Sequence, residues 1–215
     1  MQTLLAARAE HYALNEFGED GGASRSWDEA QFGPIPYAVP NPTARVRALQ
    51  VHDLHHVLTG YATDWRSESL ISAWELGSGG AGRYLYAWLI ALFGVAVGMF
   101  ALPRATARAF RRGRAGRNLY AVPQVADWHE RSVVEAREQL DVAPANQSLK
   151  LRASDLLLLA LATALALPII ALTMLLTPVM VFAALARRAN SRLERARALM
   201  RSWLLTACPR HGCQV

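Results

Sequence analysis

A chain of 215 residues is long enough for one domain with a sizeable core plus appendages, and too short for two full domains. The composition is rich in Ala, Leu and Arg, and its apolar content of 53% exceeds the usual soluble level and points to membrane contact. The formal charge of +6 divides unevenly: residues 1–80 carry 5 basic and 10 acidic side chains, residues 81–215 carry 18 and 7. Arginines bordering apolar helices suit anionic lipid head groups, not nucleic acid, whose binding platforms interleave aromatic and basic residues.

The N-terminal MQTLLAARAEHYALNEFGED lacks a long apolar core and soon turns acidic. It fits neither a secretory signal nor an Arg-rich transit peptide, so residence on the cytoplasmic face of a bacterial inner membrane is expected. Leu4, Leu5, Leu14 and Phe17 form a weakly helical pattern that ends at Gly18, before a Gly/Ser/Asp loop through Ser26. FGPIPYAVPNPT, residues 32–43, holds four prolines and reads as an extended strap. Thr43 is a candidate N-cap for a helix running to about Leu58, with Thr59 and Gly60 as its stop. Asp64 caps a second helix, 65–76, which ends at GSGG.

Residues 84–102, YLYAWLIALFGVAVGMFAL, are uncharged and as a helix would be about 28 Å long, just enough to cross a bilayer. Pro103 closes this segment. Arg104, Arg108, Arg111, Arg112, Arg114 and Arg117 then mark 104–117 as cytoplasmic. WHERSVVEAREQLDV, 128–142, is a short amphipathic helix, and VAPANQSL is a polar linker. Residues 156–186, apolar or weakly polar but interrupted by Pro168 and Pro178, exceed one crossing and fall short of the roughly 40 residues two crossings need. A hairpin or a bent helix is expected there, followed by a basic amphipathic tail over 187–205 suited to the lipid interface. Cys208 and Cys213, both in the terminal CPRHGC, supply no disulfide framework, and with His211 they form a candidate metal group. The expected class is all-α: a helical metal-binding domain over 1–145, then membrane-associated residues 146–215.

His52 and His56 are spaced i, i+4, so both imidazoles project from one helix face and can chelate one cation. Asp53 can reach the same ion from the flank, and the short turn 59–64 returns Glu68 to it. Two imidazoles and two carboxylates suit zinc, iron or manganese as divalent ions. Three of the six histidines fall within five residues with an acid among them, which sets the group apart from an incidental histidine pair. His55 is a candidate proton carrier. Trp65 and Arg66 are candidates to hold an anionic ring edge, and Gly94 and Gly98, spaced i, i+4, could let an apolar chain or a second helix approach closely.

The run VHDLHHVLTGYATDWRSESL contains His-Asp-x-x-His and, after eleven residues, Glu. It resembles the signature of the ubiquinone (coenzyme Q) biosynthesis protein Coq-four family. The basic RRGRAGRNL and the closing DWHERSVVEAREQL are also similar, so the resemblance covers roughly residues 1–143. It implies an all-helical protein at the inner face of a membrane, with His52, Asp53, His56 and Glu68 as ligands of zinc. It further implies binding of prenylated aromatic lipids, (oxidative) decarboxylation at ring carbon 1 of a prenylated hydroxybenzoate, a lyase-type step, and organisation of the other ubiquinone-biosynthesis enzymes. The apolar 156–186 segment departs from that family, whose members are typically peripheral.

Under this resemblance 84–102 is a buried or membrane-dipping wall of a prenyl groove, because a crossing there would split the domain. A transmembrane span is the alternative. The apolar helices also leave room for a homodimer. A di-iron hydroxylase would need more histidine boxes than HDLHH, since His11, His129 and His211 stand isolated in sequence. A zincin protease would need HExxH. The rival of another class is a non-catalytic prenyl-lipid-binding scaffold with a structural metal, to which four protein ligands would be suited.

Overall fold

The computed structural model describes residues 1–32, 34–147 and 149–207, so Cys208, His211 and Cys213 lie outside the described residues. In chain order the helices are α1 (Leu4–Leu14), α2 (Thr43–Thr59), α3 (Trp65–Gly77), α4 (Leu85–Ala101), α5 (Pro103–Gly113), α6 (Val133–Gln139) and α7 (Ala153–Ala207). Strands β1 (Trp27–Phe32) and β2 (Ile35–Pro40) form an antiparallel ribbon, Trp27 opposite Pro40 and Phe32 opposite Ile35. The protein is therefore mostly helical, as expected. The proline-rich strap is extended as expected, and residues 35–40 of it pair as one strand of this ribbon, where Pro36 and Pro40 forgo donors that an edge strand can spare.

Contacts divide the chain into two compact units. One comprises Met1–Ser26 with Asn41–Thr173, the other Trp27–Pro40 with the chain from Met174 onward. The first unit thus extends past the expected boundary near 145, because Asp155 and Leu159 of α7 are fully buried in it. Leu159 packs with Ala73, Val95, Ala107 and Phe110, while Asp155 faces Arg114 at 3.6 Å and Arg111 at 3.8 Å. In the second unit Arg187 donates to Glu29 at 2.7 Å and lies over the Trp27 ring.

The core around α2 is built from Leu4, Ala48, Val51, Leu54, Leu58, Leu119 and Leu140. Pro42 precedes α2 in extended conformation and leaves Thr43 as its first residue, so Thr43 begins the helix instead of capping it. At the far end Gly60 turns left-handed at φ 75° and returns its N–H to His56 O. Three further carbonyls that α2 cannot satisfy are taken by guanidinium groups: Arg112 donates to Thr59 O, and Arg137 donates to Leu58 O and Val57 O. Positive charge at this end also suits the helix dipole. The Asp64 carboxylate accepts from the N–H groups of Arg66 and Ser67 and fixes the start of α3.

Helices α3 and α5 touch backbone to backbone, with Gly77 against Phe110 O and Gly113 against Trp74 O. Helix α4 packs on the same α3 through Gly94 and Gly98. One strip of α4, Leu85, Leu89 and Phe100, is exposed. Ser132 and Glu135 form a capping box that starts α6 later than the expected 128.

Residues 153–207 are a single helix, so the hairpin alternative for 156–186 is not formed. The segment contains no glycine and no turn cluster, and proline's fixed φ is compatible with helix although each removes one internal donor. Ala153–Ser202 is long and apolar enough to cross a membrane, and only 11% of its most apolar 18-residue window is buried.

Candidate metal centre

Helix α2 presents His52 and His56 toward α3, and Asp64 starts α3 so that Glu68 meets them in its first turn. His52 Nε2 lies 3.1 Å from His56 Nε2 and 3.2 Å from Glu68 Oε2, while His56 Nε2 lies 3.3 Å from Glu68 Oε1. A tetrahedral zinc ion with bonds of about 2.0–2.1 Å spaces its donors about 3.3 Å apart. The separations are on that scale, His52 and His56 each meeting a different Glu68 oxygen, and one donor atom from each of the three residues lies within 4.8 Å of the others. Both imidazoles are buried, whereas the Glu68 side chain is 39% exposed, so the triad is reached from the Glu68 side.

The other ring nitrogens are held by groups that can only accept. Glu75 Oε1 accepts from His52 Nδ1–H at 2.8 Å, and Tyr61 O accepts from His56 Nδ1–H at 3.0 Å. These bonds leave each Nε2 for a cation, the arrangement in which a carboxylate or carbonyl orients a ligating imidazole. Burial disfavours charge on His52, yet Glu75 and Glu68 outweigh it and push its pKa well above the ordinary 6.5. Burial likewise opposes ionisation of Glu75 and Glu68, but the neighbouring imidazoles hold both at about 2. Without an ion the cluster is bound by a proton on His52; with one, the cation takes the proton's place.

Asp53 stands outside the cluster. One residue on from His52, it is turned about 100° around the helix and accepts from the Tyr12 hydroxyl at 2.8 Å. Burial raises the Asp53 carboxyl above its usual range. Among the described residues, donor atoms within 4.8 Å of one another come from His52, His56 and Glu68, so the expected four-residue set becomes three there.

His55 is fully buried, with Nδ1–H donating to Glu75 Oε1 at 2.7 Å and Nε2 accepting from Leu119 N–H at 3.0 Å. Both nitrogens are committed inside the fold, and burial lowers its pKa, so the ring ties α2 to α3 and to the 119–121 turn and carries no proton to solvent. Trp65 is 45% exposed at the start of α3 with the Arg66 guanidinium over its ring at 5.4 Å. Gly94 and Gly98 do not line an open groove: Ser72 Cβ lies 2.7 Å from where a Gly94 side chain would begin, and Thr106 Oγ1 2.6 Å from that of Gly98. Their helical spacing serves the packing of α4 on α3 and α5.

Glu75 escaped sequence reasoning, although it follows Glu68 by seven residues and so shares its face of α3. The Tyr61 carbonyl, a backbone group, has no signature in sequence. His11, isolated in the chain, stacks on His56 at 5.3 Å between ring centroids, and its pKa is lowered to about 4 by burial and by His56. Compared with family models, curated proteins and solved structures, the chain matches none.

Proposed function

We propose that this protein is a membrane-anchored, metal-dependent enzyme of ubiquinone biosynthesis that removes the ring-carbon-1 carboxyl of a prenylated hydroxybenzoate. The observation that carries the reading is the cluster of His52, His56 and Glu68, which brings one donor atom from each of three residues within 4.8 Å of one another. Three protein ligands plus an open position is the pattern of catalytic zinc, whereas structural sites are closed by four. Zinc suits these donors best and iron second. A divalent ion held there supplies Lewis acidity toward a carboxylate or phenolate oxygen. His52 and His56 hold it as neutral ligands, Glu75 and Tyr61 O fix their rings, and Glu68, the exposed member, has room to shift when substrate arrives.

The exposed apolar face of α7 supports anchoring in a membrane; the proposal puts it at the cytoplasmic side of a bacterial inner membrane, where a prenyl tail would be dissolved and the partner enzymes of the route would lie. The test is metal content of the detergent-purified protein, wild type beside His52→Ala and Glu68→Ala, followed by carbon dioxide release from a prenylated hydroxybenzoate. About one metal per chain, lost with turnover in both variants, is the expected result. Metal without turnover would leave a lipid-binding scaffold, and absence of metal would end the proposal.

A further inference from the structure

Both ends of the apolar stretch of α7, residues 156–186, are tied to polar parts of the chain. Its start lies in the first unit, where Asp155 faces Arg111 and Arg114. Its end is Arg187, which in the second unit donates to Glu29 of β1 at 2.7 Å and lies over the Trp27 ring. If the stretch crossed a bilayer, Arg187 and the ribbon that holds it would stand on the far side. The ribbon joins the first unit at Ser26–Trp27 and Pro40–Asn41, and neither junction has an apolar stretch to carry the chain across. Nor does the ribbon suit hydrocarbon, since its two strands leave open edges and β1 carries Asp28 and Glu29.

Length, charge and exposure point the same way. As helix, 156–186 runs roughly 46 Å at 1.5 Å per residue, against a hydrocarbon core of about 30 Å. Lys150 and Arg152 precede the stretch and Arg188, Arg192 and Arg195 follow it, and basic flanks of this kind stay on the cytoplasmic side. Leu159, Ala166 and Ala184 mark a buried face, whereas Leu157, Leu161, Leu172, Leu175, Val179 and Phe182 mark an opposite face and are each at least 55% exposed.

We propose that α7 lies in the plane of one leaflet of an anionic bilayer and does not cross it. The leucine face enters the acyl chains, the arginines of 188–201 meet the head groups, and both ends stay on one side. The proposal rests on the membrane reading above and is independent of the metal.

The experiment uses the full chain with Cys208→Ser and Cys213→Ser, plus Leu161→Cys, Leu172→Cys or Phe182→Cys, each carrying a fluorescent label. All three positions are exposed, so the helix is kept. The protein is reconstituted into vesicles of phosphatidylethanolamine and phosphatidylglycerol, and lipids brominated at set depths report the depth of each label. The three labels are expected at one shallow depth, about 5–10 Å into the boundary of head groups and acyl chains. A label on Leu172 near the bilayer centre, with those on Leu161 and Phe182 toward opposite surfaces, would overturn the in-plane placement and leave a transmembrane anchor. No quenching at any position would remove the membrane reading itself. Partition into phosphatidylcholine vesicles should be at least about tenfold weaker, and equal partition would overturn the choice of an anionic leaflet.

Discussion

The Nε2 atoms of His52 and His56 lie 3.1 Å apart with their Nδ1–H groups turned away, toward Glu75 and Tyr61 O. Two lone pairs at that distance require something positive between them. In the metal-free protein it is the proton on His52, whose pKa is raised well above 6.5. An ion must displace that proton, so zinc affinity should rise with pH, up to about tenfold per unit while His52 remains protonated in the free protein. Calorimetric titration in two buffers of different ionisation enthalpy is expected to show about one proton released per ion. Binding that ignores pH between 5 and 8 would contradict it.

The same charges set the acid stability of the metal-free protein. Glu68 and Glu75 titrate at about 2 in the fold against an ordinary 4.5. Their contribution, most of it from buried Glu75 because solvent screens the ion pairs of the partly exposed Glu68, is complete above pH 4.5 and is lost as pH falls toward 2. His52 has the opposite sign: its contribution is complete below 6.5 and fades as pH rises through its elevated folded pKa. Denaturant midpoints measured from pH 2 to 10 should therefore fall at both ends. In Glu75→Gln the acid limb should shrink.

Glu75 should divide fold from function by choice of substitution. Glu75→Ala removes the acceptor shared by His52 and His55 and leaves two buried N–H groups without partners, a loss of about 2–5 kcal/mol in chemical denaturation. Glu75→Gln keeps an oxygen in place and should fold, with metal affinity lowered about 10- to 100-fold. A Gln variant with wild-type zinc affinity would show that Glu75 does not orient the ligand.

Glu68→Ala makes the complementary case. Its side chain is partly exposed, so melting of the metal-free protein should move by less than about 3 °C. Zinc affinity should fall about 100-fold or more. A large loss of stability without metal would mark Glu68 as a structural group.

Gly94→Val should separate packing from chemistry. Any side chain there meets Ser72, and the Glu68 carbonyl is 3.5 Å away. Overpacking costs about 1–3 kcal/mol, and because α4 would be pushed off the turn that carries Glu68, metal affinity should fall with stability. A stable variant that binds metal normally would show that α4 can slide without disturbing the site.

Much of this arrangement could be read from the chain. The i, i+4 spacing of His52 and His56, the Asp64 cap and the Gly60 stop are local signals, and they fixed two of the elements that carry the triad. Asp53 misled because adjacency in sequence is not adjacency around a helix. Gly94 and Gly98 misled because small residues look alike whether a ligand or a serine fills the space they leave. Glu75, Tyr61 O and His11 reach the site through tertiary packing, 23 residues downstream of His52 for Glu75, and only Glu75 leaves a trace in its spacing. The extended strap and a helical option for 156–186 were legible, but not the pairing of the strap with Trp27–Phe32 nor the continuity of α7 through Pro168 and Pro178, because a pairing partner leaves no local signal and the prolines suggested a break that α7 does not make.

Helix α1 is anchored from far along the chain: Leu4 N–H bonds to Arg131 O and Val133 N–H to Gln2 O. Its other side is held by α2, where Tyr12 donates to Asp53 and His11 stacks on His56, so α1 has all its partners only once the chain has grown past residue 133.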